Sequence, residues 1–433
     1  MLATFPQRDG RKTSCATRNA ICQVSSLRNP IGAQFGLDGV TKAASSRDWA
    51  QLNRDHMHIV DTTLFFAPNS GGVKRYLLTK QRFLATQPNV RHTIVVPGSG
   101  NGPGSGGLVE ICSPPIPFAN GYRLPIDVGA WADKLLALKP DVLEAGDPYH
   151  IAWAALRAAD RLGVPAVAFV HSDLSRLIGA RFGQVLRAGV DVYLRNLYDR
   201  FDLVMAPSQS VAKRLRELGI ERTVVQPLGV DTTVFHPSCR DPTLRAELGL
   251  PSNTRLLIYA GRISSEKRIP LIQRAVEMLG PPYHLLIVGG NQRRRLSPRQ
   301  TLLPYEQDTA RLTRLLASCD ALIHAGEYET FGLVFLEAMA CGRPVIGVRS
   351  GAVTEIVDAS VGQTAAPGDI ESIAEAVRAL YEGDIELLGK QARERVERRY
   401  TWETTLTKQM ARYAYLVRRN KVFVETVPVM SDL

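Results

Sequence analysis

The sequence predicts an α/β protein built on two doubly wound parallel sheets. With 433 residues, the chain is long enough to bury two separate α/β cores. Short apolar runs, which are typical of buried strands, alternate with longer stretches of helical periodicity. This alternation indicates parallel sheets covered by helices. It occurs in two series, so we expect two Rossmann-like domains, at residues 57–230 and 231–400.

The first series begins at Met57, where the run Met-His-Ile-Val-Asp-Thr-Thr-Leu-Phe-Phe predicts a buried strand. Further strands are predicted at residues 93–96, 142–145, 166–170, 203–206 and 224–227. The helical stretches between them are residues 73–84, 151–162 and 210–218. The glycine-rich segment 102–107 matches GxGxxG, but a strand-like run follows it instead of a helix. We therefore expect a flexible loop there and no dinucleotide site.

The second series follows the segment 228–237, which separates the two domains. Its strands are predicted at residues 256–260, 285–288, 321–325 and 345–348. Gly289 and Gly290 follow the strand predicted at residues 285–288. Arg293-Arg294-Arg295 then interrupts the pattern, and the helix expected before Leu302 is shortened. A last amphipathic stretch, 402–419, predicts a C-terminal helix.

Residues 1–56 differ from the rest of the chain. They are rich in Ser, Thr and Arg, poor in acidic residues, and without sustained periodicity. Because the internal Met57 opens the first strand, we expect a disordered or mis-assigned N-terminal extension. The composition also matches that of a transit peptide, which is the alternative interpretation.

The net charge of +11 has four candidate explanations, which are a basic tail, an anionic substrate, a membrane surface and nucleic acid. No nucleic-acid-binding signature accompanies it, so we expect no nucleic-acid partner. The stretch 176–200 interleaves five arginines with apolar residues. It predicts either a basic helix on an anionic membrane or a helix packed on the first domain. Six scattered cysteines without metal-ligand spacing indicate a reducing compartment, and we expect a cytoplasmic protein.

The most informative segment is His-Ala-Gly-Glu-Tyr-Glu-Thr-Phe-Gly-Leu-Val-Phe-Leu-Glu, which starts at residue 324. Seven residues separate Glu329 from Glu337, and the turn Phe331-Gly332-Leu333 between them opens an apolar helix. The free N–H groups of such a helix start favour an anion. Two carboxylates that accept hydroxyl protons, on either side of an anion site, fit a nucleotide sugar.

Three further features predict the rest of the site. Gly261 and Arg262, with Lys267 five residues later, follow a strand, and the two cations can straddle a diphosphate. Gly71 and Gly72 precede the first helix, where backbone can approach a ligand. Three further candidates, His171, Gly289 and Gly290, lie at strand ends, which are ligand-binding positions in parallel sheets. Asp173 is a neighbour of His171 that could orient it. Ser208 fits a ligand-binding role and a role as a helix N-cap equally well.

The segment with Glu329 and Glu337 resembles the E-x7-E motif of the retaining glycosyltransferases of family 4, also called glycosyl transferases group 1. Gly261, Arg262 and Lys267 resemble the G-R-x4-K element of that family. The resemblance covers most of residues 57–420. It implies the GT-B fold, with two domains facing a central cleft and a C-terminal helix, 401–420, that crosses back to the first domain.

The resemblance also implies roles. Glu329 would contact the transferred sugar and Glu337 the ribose, while His171 would lie beside the sugar and Arg262 and Lys267 would neutralise the diphosphate. The remaining donor-binding residues would be Gly71, Gly72, Gly261, Gly289, Gly290, Phe331, Gly332 and Leu333. No Asp-x-Asp element is present, so the two cations would replace a metal, and we expect no cofactor.

The function implied is retaining transfer of a hexose from GDP-mannose or UDP-glucose to a glycan, glycolipid or lipid-linked acceptor. The general character of the sequence favours an α-mannosyltransferase-like enzyme, at the inner face of the cytoplasmic membrane if the basic helix binds lipid. Two alternatives remain. One is a nucleotide-sugar epimerase with the same fold, and the other is a non-catalytic GT-B module that binds a membrane or a polymer.

Overall fold

The computed structural model describes residues 56–67, 71–100, 102–103, 105–117 and 121–426. The expected N-terminal extension therefore lies outside the described residues, apart from residue 56. Two α/β domains follow one another, each built on a predominantly parallel sheet. The predicted fold class is confirmed.

The first sheet contains eight strands within the described residues, in the order β3-β4-β2-β1-β5-β6-β7-β8. The strands are β1 Met57–Thr62, β2 Val90–Gly98, β3 Gly102–Pro103, β4 Leu108–Cys112, β5 Val142–Ala145, β6 Ala166–Phe169, β7 Leu203–Ala206 and β8 Thr223–Val225. Every pairing is parallel except that of β3 with β4. β1 pairs with β2 on one side and with β5 on the other, so the strand order reverses at β1. The loop after β1 therefore lies at a topological switch point, where such sheets bind ligands.

Helices connect these strands. They are α1 Gly72–Ala85, α2 Val128–Ala137, α3 His150–Leu162, α4 Leu174–Phe182, α5 Gln184–Tyr198 and α6 Gln209–Glu217. The predicted strands and helices agree with the observed ones to within a few residues. Two predictions are corrected. The glycine-rich segment 102–107 is not only a loop, because it forms the short strand β3 and a 3-10 turn at Ser105–Gly107. The stretch 176–200 is two helices, which separate at Gly183 (φ 87°).

The second sheet contains seven strands within the part of the chain that the structure describes, in the order β11-β12-β10-β9-β13-β14-β15. They are β9 Arg255–Ala260, β10 Tyr283–Gly290, β11 Arg294–Ser297, β12 Gln300–Pro304, β13 Ala321–Ile323, β14 Val345–Val348 and β15 Gly362–Ala365. The arginine run predicted to shorten a helix instead forms β11, which pairs with β12 in an antiparallel hairpin. Here β9 is the switch point, between β10 and β13.

The remaining helices surround the second sheet, and the last one returns to the first domain. They are α7 Leu244–Glu247, α8 Ile269–Leu279, α9 Thr309–Ser318, α10 Leu333–Ala340, α11 Val353–Ile356, α12 Ile370–Glu382, α13 Ile385–Arg399 and α14 Trp402–Thr426. None of the helices in the described ranges is long and apolar enough to cross a membrane.

The core follows the alternation of strand side chains. On β1, Ile59 packs into one apolar cluster and Val60 into another, on the opposite face of the sheet. Ile258 and Leu257 do the same on β9. The cluster that contains Ile59 continues through the linker and α14 into the second domain, so one apolar core joins the two domains.

Buried polar groups fix α14 against the first domain. Lys80 of α1 is fully buried and donates to Asp61 at 2.9 Å and to Glu144 at 3.2 Å. It also donates to the hydroxyl of Tyr413 on α14 at 3.1 Å, and Gln409 of the same helix donates to Glu144 at 3.0 Å. Because these groups satisfy one another away from water, α14 is held in one position across the first sheet.

Candidate active site

A cleft with a volume of about 380 Å³ lies between the two domains. It is lined by the loops that follow β1, β6, β9, β12 and β13, at the carboxyl ends of parallel strands, where open α/β sheets bind their ligands. The predicted site residues along its wall are Gly71, Gly72, His171, Gly261, Arg262, Lys267, Glu329, Phe331, Gly332, Leu333 and Glu337. Eleven of the thirteen residues predicted from the sequence are thus brought together.

The turn that carries Glu329 is fixed by its backbone. Gly332 has φ 83°, and a Cβ at this position would come within 2.8 Å of the Phe335 ring. Behind the turn, the N–H of Ala352 donates to the carbonyl of Glu329 at 3.1 Å, and Ser350 donates to the carbonyl of Glu327 at 2.7 Å. The loop between β13 and α10 is therefore held rigidly at the cleft.

The carboxylate of Glu329 has two polar neighbours. It pairs with the ammonium of Lys267, and His324 Nε2 lies 3.2 Å from the same oxygen. Burial opposes ionisation of this group, but Lys267 and His324 outweigh burial and hold the pKa of Glu329 well below its usual range. Glu329 is therefore an anion near neutral pH, and it can accept hydrogen bonds from hydroxyl groups.

Glu337 lies on α10 with a side chain that is only 4% exposed. Its carboxylate forms an ion pair with Arg75, in the first turn of α1, so the pair bridges the two domains across the cleft. Arg75 was not predicted from the sequence. A cation three residues after the Gly71-Gly72 loop was a signal, but its partner lies 262 residues away and could not be identified by spacing.

His171 follows β6 and lines the cleft. Its ring is stacked on Phe169 with the ring centroids 4.5 Å apart, and its carbonyl accepts a hydrogen bond of 3.0 Å from Thr330 of the second domain. Desolvation, with the positive charge of Lys80 nearby, lowers the pKa of His171 to about 3. The imidazole is thus neutral near pH 7, and its buried Nε2 lacks a hydrogen-bond partner among the described residues.

Gly289 and Gly290 do not line the cleft. A Cβ on Gly289 would lie 2.0 Å from the carbonyl oxygen of Gly261, and one on Gly290 would lie 2.8 Å from Leu302. Close packing of neighbouring backbone therefore accounts for both glycines. Their contact with a donor stays a prediction.

Two weaker candidates are helix caps. Asp173 accepts a hydrogen bond from the N–H of Arg176 at 3.0 Å, which makes it the N-cap of α4 and not a partner of His171. Ser208 accepts one from the N–H of Val211 at 3.3 Å and caps α6.

Aromatic residues in the cleft were also missed. Phe65 and Tyr122 of the first domain line it, with their rings edge to face and the centroids 6.2 Å apart. Tyr305 lines it from the second domain, after β12. These residues lie in irregular loops, where periodicity predicts nothing about side-chain direction.

Comparison with known protein families gives two matches that follow the two domains. Residues 70–234 match the family described as "Glycosyltransferase Family 4", and residues 240–399 match "Glycosyl transferases group 1". A curated relative in Mycobacterium tuberculosis (strain ATCC 25177 / H37Ra) is 31% identical over 375 residues, which cover 82% of this chain and 95% of that protein. It is named a GDP-mannose-dependent alpha-(1-6)-phosphatidylinositol dimannoside mannosyltransferase.

The chain belongs to the family 4, or group 1, glycosyltransferases. The transferase also resembles a GDP-mannose-dependent alpha-mannosyltransferase of Mycolicibacterium smegmatis, with 34% identity over 52% of this chain and 60% of that protein. Among solved structures, sucrose-phosphate synthase from Thermosynechococcus elongatus superimposes with a TM-score of 0.71 at 20% identity, and covers 86% of this chain and 100% of that one. Anabaena HepE in complex with UDP and glucose superimposes with a TM-score of 0.63 at 21% identity. The superposition covers 87% of this chain and 100% of the HepE chain. The fold is GT-B.

Proposed function

We propose that the transferase moves a hexose from a nucleotide sugar to an acceptor with retention of anomeric configuration. The observation that carries this proposal is the arrangement of Glu329, Glu337 and His171 around one cleft, together with the cations Arg262 and Lys267. The two carboxylates can accept hydrogen bonds from hydroxyl groups of a sugar and a ribose, and the cations can neutralise a diphosphate between them.

The donor is GDP-mannose. This choice is supported by the printed names of the relatives in Mycobacterium tuberculosis and Mycolicibacterium smegmatis, both of which are GDP-mannose-dependent. The solved structure with UDP and glucose is only 21% identical and supports the fold alone. UDP-glucose is therefore the comparison donor in the experiment below.

The bond changes follow from where charge develops. The bond between the anomeric carbon and the phosphate oxygen breaks, and the acceptor oxygen bonds to that carbon on the face that the phosphate leaves. The acceptor's proton passes to the departing phosphate oxygen, so no base or nucleophile from the protein is needed. Glu329 would stabilise the positive charge that grows on the sugar, and neutral His171, on the wall of the cleft, would lie beside the sugar.

Arg262 and Lys267 would stabilise the leaving diphosphate without a metal ion. Transfer should thus keep its rate in excess EDTA. A rate that falls in EDTA and returns on addition of Mg²⁺ or Mn²⁺ would contradict this part of the proposal.

A donor panel tests the reaction. The purified chain is incubated with GDP-mannose or UDP-glucose and with phosphatidylinositol dimannoside as acceptor, and nucleoside diphosphate release and the product's anomeric configuration are measured. We expect GDP release and an α-linked mannose. Transfer from UDP-glucose alone would reject the donor, a β-linked product would reject retention, and an epimerised sugar would favour the epimerase. Absence of binding and hydrolysis for every donor would favour the non-catalytic module.

We further propose that the acceptor is presented by an anionic membrane at the α4–α5 face. This face consists of the exposed apolar and basic side chains Arg176, Leu177, Arg181, Phe182, Val185, Leu186 and Val192. Phe182 is 58% exposed and Val185 is 90% exposed, which is costly in water unless something apolar covers them. Leu177 both belongs to this face and lines the cleft, so a lipid tail on the face would extend from a glycan in the cleft.

Liposome sedimentation tests the membrane proposal. The chain should sediment with vesicles that contain phosphatidylserine and much less with neutral vesicles, because Arg176 and Arg181 attract anionic headgroups. The double substitution Phe182→Asp with Val185→Asp should abolish sedimentation, whereas Leu387→Asp, on an exposed helix of the second domain, should not. Equal sedimentation with neutral and anionic vesicles would remove the proposal. A cytoplasmic location stays a prediction.

A further inference from the structure

Glu329 and Glu337 are each neutralised by a cation that lines the cleft. Glu329 pairs with Lys267 from the same domain, and Glu337 pairs with Arg75 from the other domain. Arg75 is the one side chain that bonds the Glu337 carboxylate within the described residues. A nearly buried carboxylate is costly without such a partner, so the pair stabilises the arrangement seen here.

The same pair conflicts with the proposed use of the site. If the ribose hydroxyls of a donor are to bond the Glu337 carboxylate, the guanidinium of Arg75 must move away from it. A guanidinium in a partly desolvated cleft then needs another anion. The diphosphate of the donor is the anion that arrives at the same time.

The position of Arg75 allows this exchange. It lies in the first turn of α1, three residues after Gly72, where the backbone N–H groups and the helix dipole already favour an anion. Its side chain is 34% exposed and lines the cleft together with Arg262 and Lys267. A planar guanidinium matches the geometry of a phosphate through two hydrogen bonds.

We propose that Arg75 is a donor-positioning residue that exchanges partners, which rests on the proposed nucleotide-sugar reaction. It neutralises Glu337 until the ribose binds there, and it then bonds the donor's diphosphate from the first-domain side. The diphosphate is thereby held by Arg262 and Lys267 from one domain and by Arg75 from the other. Closure of the two domains and recognition of the donor are coupled through one side chain.

Binding of a nucleoside and of its diphosphate tests the exchange. Guanosine and GDP, or uridine and UDP if the wild-type chain binds those more tightly, are titrated calorimetrically into the wild type, Arg75→Gln, Arg75→Lys and Arg82→Gln. Arg82 is exposed in the last turn of the same helix, so its substitution removes the same charge outside the cleft. Circular dichroism and melting temperature verify that each variant is folded.

Arg75→Gln should weaken diphosphate binding ten- to a hundredfold, because a charge-assisted bond is lost, while nucleoside binding stays equal or becomes tighter. Arg75→Lys should recover part of the loss, and Arg82→Gln should resemble the wild type. A ratio of nucleoside to diphosphate dissociation constants within threefold of the wild type in Arg75→Gln would overturn the proposal and leave Arg75 a structural partner of Glu337. If the wild type itself binds no nucleotide, the proposed function is rejected together with the exchange of partners by Arg75.

Discussion

At the residue scale, the chemistry depends on side chains whose charge state is set by burial and by one or two neighbours. Glu329 is kept ionised by Lys267 and His324, whereas desolvation keeps His171 neutral. The sequence predicted Glu329 and His171, because Glu329 precedes a glycine turn and His171 lies at a strand end, but it did not predict His324. It could not predict Arg75, because the partner of a single arginine is determined by how two domains meet.

Asp147 provides a test of pH dependence at this scale. Burial raises the pKa of Asp147 to about 6, from an ordinary value of 3.8, although Thr63 and the N–H of Leu64 donate to it. Because the folded-state pKa is the higher one, the group stabilises the fold below about pH 4, and this contribution is lost as the pH rises through 6. The unfolding free energy of the wild type, relative to Asp147→Asn, should fall by on the order of 2 kcal/mol across that window.

Chemical denaturation of both proteins at pH 4, 5, 6 and 7 measures this difference. A difference that stays constant over the series, or that rises with pH, would show that Asp147 ionises in the fold as easily as it does in the unfolded chain.

At the element scale, apolar periodicity located the helices and strands well, and irregular features were harder to predict. The strands at residues 142–145, 203–206 and 345–348 have the predicted bounds, because each is a short apolar run between turn residues. The division of the stretch 176–200 was missed, because helical periodicity continues across Gly183 although the backbone there does not. The hairpin of β11 and β12 was missed because its exposed arginines have no apolar alternation.

Lys80 connects four elements, so its substitution should destabilise the fold. In Lys80→Met, Asp61 and Glu144 keep their buried carboxylates but lose the shared ammonium. Removal of one partner from a buried ion pair costs about 3–5 kcal/mol. We expect a loss of that size in the unfolding free energy, measured by denaturant titration, and a loss below about 0.5 kcal/mol for Lys213→Met on the exposed side of α6. Equal losses in the two variants would show that the network adds nothing specific.

At the scale of the whole molecule, the two domains are joined by contacts on several sides of the cleft. Arg75 pairs with Glu337, Thr330 donates to the carbonyl of His171, and Glu355 accepts from the N–H groups of Gln209 and Ser210, at the start of α6, at 2.8 and 2.7 Å. The two series of alternating strands and helices predicted two domains, and the family resemblance predicted the cleft between them. These contacts could not be predicted, because they depend on the relative position of two separately folded units.

The N-terminal extension should be dispensable for this architecture. A chain that starts at Met57 keeps β1, whose residues are buried in the first sheet, and removes only the acid-poor segment that precedes it. Its melting temperature should stay within about 3 °C of that of the full chain, since a stability change below 1 kcal/mol shifts it only slightly at this size. A large drop in melting temperature or in transfer rate would show that the segment packs against the folded domains.

Glu329 and Glu337 have different proposed roles, and one pair of substitutions distinguishes these roles. GDP affinity and transfer from GDP-mannose are measured for Glu329→Ala and Glu337→Ala, after both are shown to be folded. Glu337→Ala should weaken GDP binding about tenfold, and guanosine binding more, because the ribose loses its acceptor while Arg75 is freed. Glu329→Ala should keep GDP affinity within about threefold and slow transfer by a hundredfold or more, because it acts on the sugar as charge develops. Loss of GDP affinity in Glu329→Ala together with unchanged affinity in Glu337→Ala would contradict the account.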